Sequence, residues 1–301
     1  MSASNFQGTF TALITPLIGD SVDFAKFGDL VERQITSGIN GIVPMGTTGE
    51  SPTLSTEEHL EVIRIAVEVA KGRVPVIAGT GANSTAEALH LTQEADRLGA
   101  DGFLQVAPYY NKPSQEGLFH HFSTIAKATD KPIVLYSVPG RCGIEISVPV
   151  IRRLAETYPN VRTIKEAGGS VARVQEIRAA CGDAVTILCG DDGLTLPFVA
   201  AGATGVISVA SNLAPRLVGR ITQLALKGDD AAARALVETY YGLLTDGVFL
   251  EGNPVAIKTG MHLLGLIESA AVRLPLWEMS APNRDRLQTL LNTLDLSEDV
   301  A

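Results

Sequence analysis

Eight short apolar runs, amphipathic stretches between them, and glycines that close those stretches predict an α/β fold: a (β/α)8 barrel followed by a small helical domain. Strands covered on both faces read as near-continuous apolar runs. Their alternation with helical segments argues for a parallel sheet, and eight units in about 220 residues fit a closed barrel. A doubly wound sheet is the rival. It usually carries a G-x-G-x-x-G after its first strand, whereas the first run here ends in Thr15-Pro16.

In chain order the strand candidates are GTFTALIT from Gly8, GIVPMG from Gly41, VPVIAGTG from Val74 and GFLQVAP from Gly102. PIVLYSV from Pro132, VRTIKEA from Val161, VTILCGDD from Val185 and GVISVA from Gly205 complete the set. The first intervening segment places Phe24, Phe27, Leu30, Val31 and Ile35 on one helical face. Ser55 and Glu58 form a capping-box pattern that starts the second helix. Gly38, Gly72, Gly99, Gly182 and Gly202 stand where a left-handed residue is expected after a helix. After Ala210 no strand pattern recurs. Helical pattern dominates from about residue 225, including Asn253 to Glu268, and KGDD at Lys227–Asp230 reads as a joint. The expected division is 1–225 for the barrel and 226–301 for the helical domain.

The composition is that of a water-soluble globular chain, 46% apolar and 19% charged. A net charge of −9 argues against a broad nucleic-acid-binding face, yet leaves room for a few cations around a small anionic substrate. Cys142, Cys181 and Cys189 show no C-x-x-C spacing, so no disulfide framework or zinc site is expected. His59, His90, His120, His121 and His262 lack ligand spacing and read as surface or capping residues; no metal is expected. The N-terminus lacks a basic then apolar leader pattern, and no run of about 18 apolar residues occurs. A cytoplasmic protein without a membrane partner is expected.

In barrels of this kind the site lies at the C-terminal ends of the strands. Those ends read GTTGES, APYYNKPSQEG, YSVPGRCG, IKEAGG and CGDDG. Of eight lysines, only Lys165 falls inside a predicted strand. Burial lowers a lysine pKa, and a neutral amine can form a Schiff base with a carbonyl substrate. The alternative is a structural ion pair with Glu166 or Asp191. Glu166 is a poor partner because successive strand residues face opposite ways. Tyr136, ending the neighbouring strand, could relay protons to a carbinolamine or simply cap the barrel. Arg141 could grip a carboxylate with a bidentate fork or lie solvated in its loop. Gly46-Thr47-Thr48-Gly49 is not a phosphate-binding Walker loop; its hydroxyls and N–H groups suit a small carboxylate. Asp191 and Asp192 weigh against a phosphate after the seventh strand.

Taken together, GTTGES, PYYNKPSQEG, YSVPGR and IKEA, in this order at these strand ends, resemble the dihydrodipicolinate synthase family of pyruvate-dependent lyases, over essentially the whole chain. The resemblance implies a class I aldolase-type reaction on pyruvate and aspartate semialdehyde that needs no metal or organic cofactor. It implies that Lys165 forms the Schiff base and that Tyr136 shuttles protons. Thr47 would link Tyr136 to Tyr110 of a neighbouring subunit. Arg141 would hold the carboxylate of the second substrate, Thr48 would contact the pyruvate carboxylate, and Gly190 and Ile207 would line the pocket. A homotetramer built from tight dimers is implied as well.

Many members of that family are inhibited by lysine. The matching positions are Ser51, Pro52, His59, Asn83, Glu87 and Tyr109, with Thr56 where strongly regulated members often carry His. Feedback inhibition and plain interface packing both remain open for this cluster. Ser137 stands where the family often has Asn, and Cys142 where Thr is usual, so fine pocket geometry is in question. Two competing functions remain. One is a sialic-acid or sugar-acid aldolase or dehydratase, a class that generally lacks the Arg141 feature. The other is a non-catalytic barrel, which should have lost at least one of Thr47, Tyr110, Tyr136, Arg141 and Lys165.

Overall fold

The computed structural model describes residues 6–300. All eight expected strands form: β1 Gly8–Ala12, β2 Gly41–Val43, β3 Ile77–Gly79, β4 Gly102–Val106, β5 Ile133–Ser137, β6 Val161–Glu166, β7 Thr186–Cys189 and β8 Gly205–Ser208. They pair in parallel in the order β2-β1-β8-β7-β6-β5-β4-β3. A parallel bridge between Ile42 and Val76 joins the two ends and closes the barrel. A small antiparallel hairpin, Leu17–Ile18 with Ser21–Val22, follows β1 and was not expected from the sequence.

Each strand leads to a helix that packs outside it: α1 Phe24–Thr36, α2 Thr56–Ala70, α3 Thr85–Arg97, α4 Gln115–Ala126, α5 Val148–Thr157, α6 Val171–Cys181, α7 Thr195–Ala200 and α8 Pro215–Leu226. Helix α1 turns Phe27, Leu30 and Val31 fully inward, with Phe24 and Ile35 half-buried at the edges of the same face. Helix α2 starts at the expected reciprocal cap. Ser55 Oγ accepts from Glu58 N at 3.2 Å, and Glu58 Oε2 accepts from Ser55 N at 2.9 Å. Such a cap satisfies two otherwise orphaned donors. The five glycines after the helices all adopt positive φ, although at α2 the left-handed turn begins one residue earlier, at Lys71.

Beyond α8, Asp229 caps α9 (Asp230–Leu244), which is followed by α10 (Val255–Leu263) and α11 (Ala281–Asn292). Leu243, Leu244, Ile257, Met261, Leu287 and Leu291 join one continuous core with the barrel. The tail also reaches the strand ends through polar contacts. Lys258 of α10 and Glu50, in the turn after β2, are both fully buried and bonded at 2.6 Å. Burying two charges is costly unless they are paired and their remaining valences are met. Glu50 Oε2 accepts in addition from Arg273 N at 3.1 Å. No helix among the described residues is long and apolar enough to cross a membrane.

Candidate active site

Lys165 lies near the C-terminal end of β6, 6% exposed, in register with Tyr136 on β5 and Leu188 on β7. Its Nζ sits 4.4 Å from the centre of the Tyr136 ring. Alternation along the strand sends the next residue, Glu166, the other way. There its carboxylate bonds Arg173 Nε of α6 at 2.8 Å and Gly168 N at 2.8 Å. Among the described residues Lys165 has no carboxylate within salt-bridge distance, and neither ion pair considered from the sequence forms. The carboxylate that acts on it is Asp192, not Asp191. Asp192 is buried and accepts from Ser208 Oγ, from Val209 N at 2.8 Å and from Ala210 N at 3.0 Å.

Burial brings the Lys165 ammonium down from its ordinary 10.5 to about 8; the Asp192 carboxylate opposes this and the Arg141 charge reinforces it. A neutral amine is the nucleophilic form. At pH 7 a group with pKa about 8 is neutral in roughly one molecule in ten, against about one in three thousand at 10.5. Burial pushes the Tyr136 phenol the opposite way, up to about 12, opposed by the Arg141 charge and the neighbouring Thr47 hydroxyl. A phenol held neutral beside an amine close to deprotonation is suited to donating and recovering a proton without itself remaining ionised.

The GTTGES turn after β2 closes on itself. Gly49 N donates to Gly46 O at 3.1 Å and Glu50 N to Thr47 O at 3.1 Å. Among the described residues, the N–H groups of Thr47 and Thr48 have no backbone partner. Thr48 is buried, and its Oγ1 accepts from Asn253 Nδ2 at 2.9 Å. Arg141 sits on the one-turn helix Pro139–Cys142 and donates from Nη2 to Asn253 O at 3.1 Å. Asn253 thus touches both residues expected to hold carboxylates, and nothing in the sequence reading marked it.

Ile207 is fully buried on β8. Gly190 follows β7 and donates to Glu166 O at 2.8 Å. A Cβ there would lie 2.6 Å from Ala167 Cβ and 3.1 Å from Lys165 Cε, so only glycine lets the lysine stem pass without displacement. Ser137 is buried, with its Oγ accepting weakly from Ile146 N at 3.4 Å.

Ser51, Pro52, His59, Glu87 and Tyr109 line a single cavity of about 350 Å³, together with Thr56, Thr47, Arg141 and Cys142. Asn83 stands beside it: its carbonyl accepts from Asn111 Nδ2 at 2.9 Å. Two of the histidines are neither the surface nor the capping residues expected from the sequence. His59 is buried, bonds Gly79 O at 2.8 Å, and is held at about 4 by burial, which outweighs that bond. His121 is buried against Thr85 Oγ1 at 2.9 Å. Tyr110 does not enter its own barrel. It is 90% exposed, with φ at +72°, a conformation non-glycine residues seldom hold. Among the described residues no group of three His, Cys, Asp or Glu is placed to hold a metal ion.

Residues 5–294 match the model of the dihydrodipicolinate synthetase family. The 4-hydroxy-tetrahydrodipicolinate synthase of Persephonella marina is 46% identical over 291 residues, covering 97% of this chain and 99% of that one. The solved structure of the 4-hydroxy-tetrahydrodipicolinate synthase from Methylacidiphilum fumariolicum SolV superposes with a TM-score of 0.94 at 49% identity, covering 98% of this chain and 97% of that one. The enzyme from Cyanidioschyzon merolae, solved with lysine bound, superposes at 0.92 with 36% identity, covering 96% and 98%. Identity near one half, sustained across both chains on one shared backbone, makes this chain a member of the dihydrodipicolinate synthetase family.

Proposed function

We propose that the chain is a Schiff-base-forming lyase that condenses pyruvate with L-aspartate-4-semialdehyde to give 4-hydroxy-tetrahydrodipicolinate, in the diaminopimelate route to lysine. The observation that carries this reading is the buried Lys165 amine, its pKa lowered by burial, set against Tyr136 in a chain close to half identical to synthases of that name. Its relatives favour this reaction over the sugar-acid and sialic-acid alternatives.

Neutral Lys165 attacks the ketone carbon of pyruvate, and the carbinolamine loses water to an imine. Removal of a methyl proton gives an enamine, whose carbon bonds the aldehyde carbon of the second substrate. That substrate's own amine then attacks the imine carbon, closes the ring and releases Lys165. Tyr136 delivers and recovers the protons, with Thr47 and the partner subunit's Tyr110 completing the path. Thr48 and the free N–H groups beside it receive the pyruvate carboxylate, and Arg141 the carboxylate of the semialdehyde. Gly190 and Ile207 shape the wall around the imine.

The outward, strained setting of Tyr110 supports an assembly of at least a dimer, and we take a tetramer of two tight dimers as the working state, in the cytoplasm. We keep residues 1–225 as the catalytic unit, with 226–301 bracing it through Lys258 and Asn253. The cavity shared by Ser51, His59, Glu87 and Tyr109 supports lysine as a feedback ligand, with Asn83 at its edge. Activity unchanged by millimolar lysine would remove that ligand.

The function is tested by coupling the protein to dihydrodipicolinate reductase with pyruvate and aspartate semialdehyde and following NADPH. Rapid loss that vanishes in Lys165→Ala is expected. Activity on a sugar acid, with none on the semialdehyde, would move the chain to the sister enzymes.

A further inference from the structure

We infer that Asn253 reads the α-ammonium group of the second substrate and so sets the preference for an amino-acid semialdehyde. The inference rests on the synthase reading above. Asn253 is 8% exposed, and its two amide ends have different fates. Nδ2 donates to Thr48 Oγ1 at 2.9 Å, whereas Oδ1 is buried with no partner among the described residues. A buried acceptor left unpaired costs free energy, and native chains rarely keep one without a use.

The position of this oxygen narrows the use. The carbonyl of Asn253 lies 3.1 Å from Arg141 Nη2 and its amide nitrogen rests on Thr48, so the residue stands between the two residues assigned to the two carboxylates. An acceptor needs a donor. At neutral pH pyruvate carries none: its ketone and carboxylate oxygens only accept. In the free substrates the donors are the three N–H bonds of the α-ammonium group. In an α-amino acid that group shares one carbon with the carboxylate, so a carboxylate held by Arg141 brings the ammonium to the immediate neighbourhood of Asn253. A neutral carboxamide can accept there without placing a negative charge beside the pyruvate carboxylate.

The rest of the tail holds Asn253 in place. Lys258, five residues on, is locked to Glu50, two residues past Thr48 in the same turn. The two bonds, Asn253–Thr48 and Lys258–Glu50, fix the tail against the GTTGES turn at two points.

The test compares aspartate semialdehyde with succinic semialdehyde, which keeps the aldehyde and carboxylate but lacks the amine. In Asn253→Ala, KM for aspartate semialdehyde should rise about tenfold or more, the size expected for one hydrogen bond to a charged group. The inhibition constant of succinic semialdehyde should change less than about twofold. Asn253→Asp keeps an acceptor and should keep the preference for the amino substrate. Borohydride trapping of pyruvate reports whether each variant is folded; should Asn253→Ala fail it, Asn253→Ser, whose shorter side chain withdraws the acceptor, carries the same comparison. Equal weakening of both ligands would make Asn253 only a brace for Thr48 and Arg141, and would overturn the inference. So would no change in either. Wild-type protein that traps pyruvate yet turns over no aspartate semialdehyde would instead refute the synthase reading itself.

Discussion

Replacing Lys258 with methionine tests whether the helical tail organises the site. The Lys258 and Glu50 side chains are both 0% exposed and bonded at 2.6 Å. Burial lowers the Lys258 pKa, against the opposing pull of Glu50, so desolvation is the larger influence on this pair. Lys258→Met fills similar volume but strands the Glu50 carboxylate, which keeps Arg273 N and loses, among the described residues, its only counter-charge within 4 Å. Removing one partner of a buried pair costs about 3–5 kcal/mol, or roughly 5–8 °C in Tm for a chain of this size. Because Glu50 closes the turn that carries Thr47 and Thr48, KM for pyruvate should rise in the same variant. Adding Glu50→Gln removes the stranded charge and should return most of the stability, since an apolar or neutral replacement of a buried pair is often close to neutral. Urea and thermal unfolding of the two variants provide the assay. A loss below about 1 kcal/mol in Lys258→Met, or no recovery in the double variant, would refute the reasoning.

Three further outcomes follow from the same geometry. The rate of pyruvate trapping should climb with pH and level off above about 8, because the Lys165 pKa is lowered and the neutral form accumulates as pH rises; Asp192→Asn removes an influence that raises it, and should move the profile to lower pH by on the order of 1 unit or less. A profile that moves up would contradict this assignment of Asp192. Gly190→Ala sets a methyl 2.6 Å from Ala167 Cβ and 3.1 Å from Lys165 Cε, so trapping should slow about tenfold at an overpacking cost of about 1–3 kcal/mol; an unchanged rate would mean that the lysine stem has room to move. Tyr110→Phe should lower kcat about tenfold or more while pyruvate is still trapped and Tm stays constant, since the side chain is 90% exposed in the single chain; unchanged turnover would take Tyr110 out of the relay.

The barrel was legible because its signals are local. Apolar runs, the Ser55–Glu58 cap and the positive-φ glycines each state their structure within a few residues. Lys165 stood out for the same reason, a charge inside an otherwise apolar strand. What escaped depends on contacts across the chain. Glu50 and Lys258 are 208 residues apart, and Asn253 meets Thr48 across 205. One signal was present and unused: Lys258 interrupts the apolar stretch VAIKTGM as Lys165 interrupts VRTIKEA. The same reasoning that flagged one buried lysine applies to the other, with the opposite outcome, because Lys258 finds a carboxylate and Lys165 does not. The choice between Asp191 and Asp192 was also hidden. It turns on which carboxylate meets the N–H groups of Val209 and Ala210 after β8, and no pattern along the strand records that. His59 and His121 read as surface residues because their burial depends on how α2 and α4 settle against neighbouring strands and helices.

The proposed mechanism makes Lys165 the nucleophile, its pKa lowered by burial to about 8. It is tested most directly by reducing the protein with borohydride in the presence of pyruvate and mapping the modified peptide. One pyruvyl adduct per chain is expected, on Lys165, formed at neutral pH and absent in Lys165→Ala. An adduct on another lysine, or folded protein that forms none, would contradict it.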